Sequence, residues 1–210
     1  MYDLTHPFVD GLKTFPTDPD VELTDLRRYE EDGYRLTGIS SPSHAGTHLD
    51  APAHTEPDGS TLGEIPPERF VFDGVVVDAT NFGDREAIPP DLVPTVSADL
   101  VVFHTGWDEY WESERYLDHP YLAPETARAC AEEGYAVGTD TLNPDPTPSP
   151  SRNRDEPMDV PAHHAILGAG ELILENLTGL EALTERVEVW ALPLALQTDG
   201  APIRALARDL

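Results

Sequence analysis

The sequence predicts a strand-rich α/β fold in a single domain spanning residues 1–210, and three observations predict it. Short β-branched runs recur along the chain, one well-formed helical segment lies between two of them, and no linker divides them. At 210 residues, the chain is long enough for one domain with a substantial core.

The apolar runs are "GVVVDAT" (74–80), "LVVFHT" (100–105), "YAVGTD" (135–140), "ELILEN" (171–176) and "VEVWALP" (187–193). Each has the length of a strand and is bounded by Gly, Pro or Asp. A helix is expected over Pro124 to Glu133, with proline in its first turn and Gly134 placed to end it. Cys130, the only cysteine, lies in that helix and is expected to be a small core residue. Residues 143–161, "NPDPTPSPSRNRDEPMDVP", are proline-rich and polar, so they form a loop. At roughly twenty residues it exceeds the usual length, and such loops often serve as lids or subunit contacts.

Forty acidic residues against thirteen basic ones give a net charge of −27. Lys13 is the only lysine, and the acids are dispersed along the chain rather than gathered in a tail. This balance excludes a general nucleic-acid backbone binder. A dispersed acidic surface almost without lysine fits a high-salt solvent, where screening removes self-repulsion, and so a halophilic source. No run approaches the roughly 18 apolar residues of a spanning helix, so no membrane partner is expected. Asp3, His6 and Asp10 interrupt the start of the chain where a signal peptide needs an apolar core. With one cysteine and no internal disulfide, a cytoplasmic location is expected.

The most informative stretch is "SPSHAGTHLDAPAHTEPDG" (41–59), which places His44, His48, Asp50 and His54 within eleven positions. Pro42, Gly46, Thr47 and Pro52 oppose a helix here. In an extended chain, residues of one parity share a face, and all four are even-numbered. Full extension would spread them over roughly 33 Å, too far for one metal ion. His48 and Asp50 can meet an ion across a single pleat, whereas His44 must fold back through a bend that Gly46 permits. Asp50 offers two oxygens and is a candidate bridge between two ions. His54, beyond a proline, is a candidate acid/base.

A second group lies in "VPAHHAILGAGELILENLTGL" (160–180). His163 or His164 is a candidate ligand, and Glu175 sits inside an apolar strand, where a carboxylate needs a cation or donors. The residues alone leave open whether the histidine pair instead caps a helix.

"HAGTHLDAPAH" resembles the HxGTHxDxPxH signature of the cyclase family of metal-dependent hydrolases, which includes the bacterial kynurenine formamidases. "DLTHPFVDGLKTFPTDP", "HTGWDEYW", "GTDTLNPD", "HHAILGAGELILENLTGL" and "LPLALQTDGAPIRALA" resemble further family segments in family order. The resemblance implies a swivelling β/β/α fold, assembled as a homodimer or homotetramer, and a centre of two zinc ions, with manganese in some relatives. Ferrous iron also suits such donors. It implies that His44, His48 and Asp50 hold one ion, and that Asp50 bridges to a second held by His163 and Glu175. The family's twelve-residue spacing selects His163 over His164. His54 would be the catalytic acid/base.

The implied reaction is hydrolysis of a C–N bond in a small amide, as in the conversion of N-formylkynurenine to kynurenine and formate in tryptophan catabolism. Two departures fall where an aryl substrate would sit. Phe15–Pro16 stands where formamidases usually carry a tryptophan, and "DTLNPDP" (140–146) stands for "DTPSVDP". Phe15 still offers an aromatic wall, while Trp107, Tyr110 and Trp111 fit either a pocket or packing. The alternatives are a ring-opening amidase of the isatin hydrolase type and a cyclase or dehydratase of the same family. A non-catalytic metal-binding protein would give the spare His54 no purpose.

Overall fold

The β-branched runs form the centre of a large sheet in the computed structural model, which describes residues 1–12 and 14–210. Among the described residues, nine strands make this sheet. From edge to edge they are Tyr2–Asp3, Leu206–Asp209, Arg186–Trp190, Val71–Asp78, Leu100–His104, Ala136–Thr139, Ile173–Glu175, His48–Asp50 and Gly200–Pro202. The four strands from Val71–Asp78 to Ile173–Glu175 run parallel. Antiparallel partners extend them on both sides. All five predicted runs are strands, and the first begins earlier than expected, at Val71.

Buried parallel strands need apolar side chains on both faces. Leu100 and Val102 pack into one core cluster, while Val101 and Phe103 pack into another on the opposite face. The second cluster is covered by two helices. Pro124–Glu133 has the predicted bounds and ends at Gly134, whose φ is 75°. Pro161–Gly168 supplies Ile166 and Leu167. Cys130 is fully buried between sheet and helix, and burial pushes its thiol up to about 12, so it is an inert core residue. Among the described residues no α-helix contributes to the first cluster, which takes Leu62, Phe70 and Leu180 from short 3₁₀ turns. Ala201 from one edge of the sheet shares it with Val187, Val189 and Ala207 from near the other, so the sheet curls around its own core.

Outside the sheet, Glu22–Arg27 and Leu36–Ser40 form an exposed antiparallel hairpin. No described helix is long and apolar enough to cross a membrane.

The long proline-rich loop is irregular as expected up to Val160, but Pro161 opens a helix. Buried polar groups hold the loop. The Arg85 guanidinium donates to Glu156 from Nε (2.7 Å) and Nη2, to the Thr147 carbonyl (3.0 Å) and to Ser149 (3.1 Å). Nearby, Asn143 donates to Thr147 Oγ1 (2.7 Å), which also meets His119 Nε2 at 2.8 Å, while His119 Nδ1–H donates to the Pro120 carbonyl (2.8 Å). Burial depresses the His119 pKa from 6.5 to about 4. An unfolded chain binds a proton at His119 below about pH 6.5, whereas the folded chain resists until about pH 4. Stability from this group is therefore complete above pH 6.5 and lost as the pH falls toward 4, by about 3 kcal/mol in all. Thermal melts at pH 7 and pH 4.5 should show a smaller pH effect in His119→Gln than in the wild type. An unchanged effect would contradict this assignment.

Candidate active site

Sheet register brings the two sequence groups together. Strand His48–Asp50 pairs antiparallel with Ile173–Glu175, so Glu175 lies opposite His48 and Ile173 opposite Asp50. His48 and Asp50 share one face across a pleat, with His48 Nε2 3.2 Å from Asp50 Oδ1. The bend at Gly46 has φ 61°, a left-handed conformation that favours glycine. It returns His44 to the cluster, placing His44 Nδ1 2.7 Å from Asp50 Oδ1. On the other side, Gly200 pairs with Asp50, and a Cβ there would stand 2.6 Å from the His44 ring. Pro52–His54 forms a short 3₁₀ turn that brings His54 to the rim, its ring centroid 3.9 Å from that of His44.

His163 completes the cluster from the first turn of helix Pro161–Gly168. Its Nε2 lies 3.2 Å from Glu175 Oε1 and 3.8 Å from Asp50 Oδ2. The exposed His164 points elsewhere, to the half-buried Glu56 at 2.8 Å. The helix is capped not by the histidine pair but by Asp145. This carboxylate accepts from the backbone N–H of Ala162 (2.9 Å) and His163 (3.0 Å) and from His163 Nδ1–H (2.7 Å).

Each histidine at the core of the cluster is anchored through one nitrogen, leaving the other for the centre. His163 Nδ1 is held by Asp145, His48 Nδ1 by the Gly46 carbonyl (2.8 Å), and His44 Nε2 by Asp199 (2.9 Å). Such anchoring fixes ring orientation and tautomer in a metal ligand. His48 Nε2, Asp50 Oδ2 and Glu175 Oε1 are buried without a hydrogen-bond partner. His48 Nε2 is 3.2 Å from both carboxylates, yet its geometry makes no hydrogen bond to either. Donor atoms that converge without bonding one another are what a central cation requires, since burying such groups unpaired is costly. The donors of His44, His48 and Asp50 lie within 4.8 Å of one another, as do those of Asp50, His163 and Glu175, so Asp50 belongs to both sets.

The electrostatics agree. Burial opposes a charge on His44, but Asp199 and Asp50 outweigh it and push its pKa up to about 9. His163, likewise buried, is pushed to about 10 by Asp145 and Glu175. Without an ion, the carboxylates thus draw protons onto the imidazoles, which supply the positive charge the cluster needs. His54 goes the other way. Burial, aided by the charges on His44 and His163, holds its pKa below 6.5 despite Asp50 and Asp199.

The cluster opens into a cavity of about 360 Å³. Phe15 lines it, as the sequence led us to expect, and the long loop contributes Pro146, Pro148, Arg152 and Val160. Val160 has φ 46°, an uncommon conformation for a β-branched residue, and it lies directly at this wall. The tryptophans pack instead. Trp107 joins Tyr116 and Leu142 in a buried cluster with Tyr110 and Trp111 against it, and Trp111 stacks on His6 at 3.9 Å. Trp111 borders a neighbouring cavity of about 280 Å³, which shares Phe15 and Leu142 with the first.

Sequence reasoning missed Asp145 and Asp199. Both lay in segments that had been singled out, but neither is distinguishable from the other acids until the fold places it. Asp145→Asn should weaken metal affinity at the His163–Glu175 side about 10- to 100-fold, because the amide orients His163 poorly. Metal titration of purified protein checks this, and undiminished affinity would refute the orienting role.

Comparison with known proteins gives the same direction. Residues 2–146 match the Cyclase family, whose description is "Putative cyclase". The chain is 31% identical to a kynurenine formamidase of Salinibacter ruber (strain DSM 13855 / M31), covering 100% of this chain and 97% of the relative. Its fold superimposes on isatin hydrolase A from Labrenzia aggregata, bound to benzyl benzoate, with a TM-score of 0.84. That match has 26% identity and covers 98% of this chain and 92% of the other. It also matches a structure described as a potential metal-dependent hydrolase with cyclase activity, with a TM-score of 0.78, 26% identity and 98% and 96% coverage. With its ligand-bearing segment inside the matched residues and similarity running the length of the chain, this protein belongs to the cyclase family.

Proposed function

We propose that the protein is a metal-dependent amidohydrolase of the kynurenine formamidase type, cleaving N-formylkynurenine to kynurenine and formate. The observation that carries this is the set of buried, unbonded donor atoms of His48, Asp50 and Glu175 converging in a cluster that opens, beside His54, into a cavity. In this reading His44, His48 and Asp50 hold one divalent ion, and Asp50, His163 and Glu175 hold another. Zinc is the first choice, with manganese or iron as alternatives. Ions held there would lower the pKa of water and polarise the substrate carbonyl.

The remaining chemistry belongs to the chain. His54, neutral at pH 7, takes a proton from the attacking water and returns it to the departing nitrogen. Asp199 meets His54 Nδ1 at 3.3 Å and fixes which ring nitrogen does this. Phe15 offers an apolar wall for an aryl group.

A ring-opening reaction on a cyclic amide is the second reading. It is supported by the fold similarity to an isatin hydrolase and by Phe15 and the 140–146 loop, which depart from the formamidase pattern. Steady-state kinetics on N-formylkynurenine and isatin separate the two. A higher kcat/KM for the formamide is expected, and turnover of isatin alone would transfer the assignment.

A cytoplasmic homodimer or homotetramer completes the proposal. Exposed Leu36, Ile39, Leu192 and Leu194 offer apolar surface for subunit contact, and a monomeric sedimentation profile would contradict it. The acidic surface supports a high-salt setting. A melting temperature that fails to rise between low and molar salt would count against that.

A further inference from the structure

The proposed reaction occupies the metal cluster and His54 but leaves one feature of the cavity unused. Arg152 is the only lysine or arginine among the described residues lining it. The chain carries thirteen basic residues against forty acidic ones, so a guanidinium set in this wall is conspicuous. Its charge is only partly offset by its neighbours, through an ion pair with Glu156 that Arg152 shares with Arg85. Its Nη2 donates to the Pro157 carbonyl at 2.8 Å, and its Nε is 3.8 Å from Glu156, too far for a hydrogen bond. The Glu156 carboxylate is instead committed to Arg85, which takes both of its oxygens. Arg85 also holds Thr147 and Ser149, so Arg152 projects from a pinned segment rather than a free loop.

We propose that Arg152 is a specificity-determining residue that receives a carboxylate on the substrate, so that the cavity is built for an amide bearing an amino-acid side arm. The inference rests on the hydrolase reading above and names the substrate class of that same site. The planar fork of guanidinium donors matches a carboxylate in two-point contact. Asp18 and Asp159 line the same cavity and supply the opposite charge for the ammonium of such a side arm. Phe15 lines the same cavity and offers an apolar wall for the aryl group that joins the formamide to the side arm.

The test uses two substrates with metal-replete protein. One is N-formylkynurenine. The other is 2-formamidoacetophenone, which keeps the formamide and aryl ketone but lacks the amino acid. The wild type should favour N-formylkynurenine by at least about tenfold in kcat/KM. Arg152→Gln should raise KM and lower kcat/KM for N-formylkynurenine about 10- to 100-fold while leaving the truncated substrate within about twofold. Arg152→Lys should fall between, since it keeps the charge and loses the fork. Equal losses on both substrates would mean that Arg152 merely supports the loop, and no loss on either would mean that it binds nothing; both overturn the inference. If the wild type prefers the truncated substrate, the inference fails without any variant. Hydrolysis of neither substrate by the wild type would overturn the formamidase reading on which the inference rests, a failure distinct from that of Arg152.

Discussion

Asp50→Asn is expected to leave a folded protein that neither retains divalent metal nor hydrolyses amide. Asp50 is fully buried at the centre of the cluster, and no other residue serves both donor sets. Its Oδ1 faces His44 and His48, while Oδ2 is unbonded on the side of His163. The amide keeps the shape but removes the charge and one acceptor. A loss of at least about 10³-fold in kcat/KM is expected, equivalent to about 4 kcal/mol of transition-state stabilisation. Elemental analysis after dialysis should find metal in the wild type and background levels in the variant. The variant should also lose any rise in melting temperature on adding metal, since that rise measures binding to the folded state. Full metal content in Asp50→Asn would refute its place at the centre.

His54→Ala should behave differently, keeping metal while losing turnover by about 10²- to 10⁴-fold. His54 sits on the 3₁₀ turn at the rim, more exposed than His48 or His163, beside His44 and Asp199 and outside the two donor sets that share Asp50. The pH profile gives a second readout. The pKa of His54 is already held below 6.5, and bound cations would lower it further. As a base it must be neutral, so wild-type kcat/KM should be level at neutral pH and fall as the pH drops through that pKa. His54→Ala should lose this acidic limb. A variant that keeps both rate and limb would exclude His54 from proton transfer.

Why were these residues visible in the sequence while their supports were not? His44, His48, Asp50 and His54 lie within eleven positions, and strand periodicity with one glycine bend suffices to gather them. The bend appears at Gly46 and the pleat contact at His48 and Asp50, both local consequences of the chain. The five apolar runs were likewise legible, because buried parallel strands require continuous apolar side chains. Helix Pro161–Gly168 was not, since its cap, Asp145, lies far upstream of the residues it caps. Asp199 reaches His44 across about 150 positions and is one acid among forty, so nothing local marks it. The exposed hairpin Glu22–Arg27 and Leu36–Ser40 carries no burial pattern to reveal it. The sequence left Trp107 and Trp111 open between a pocket and packing, and they pack, against Tyr116 and His6. The sequence also gives no reason to single out Arg152, whose position depends on the Arg85 anchor beneath the loop.

The most direct measurement is formate release from N-formylkynurenine by metal-replete wild type and His54→Ala, assayed side by side in high salt with bound metal quantified in both. Rapid release by the wild type, with an equally metallated but inactive variant, is the expected result. Equal release by the two proteins would contradict the role given to His54, and none from a fully metallated wild type would contradict the formamidase assignment.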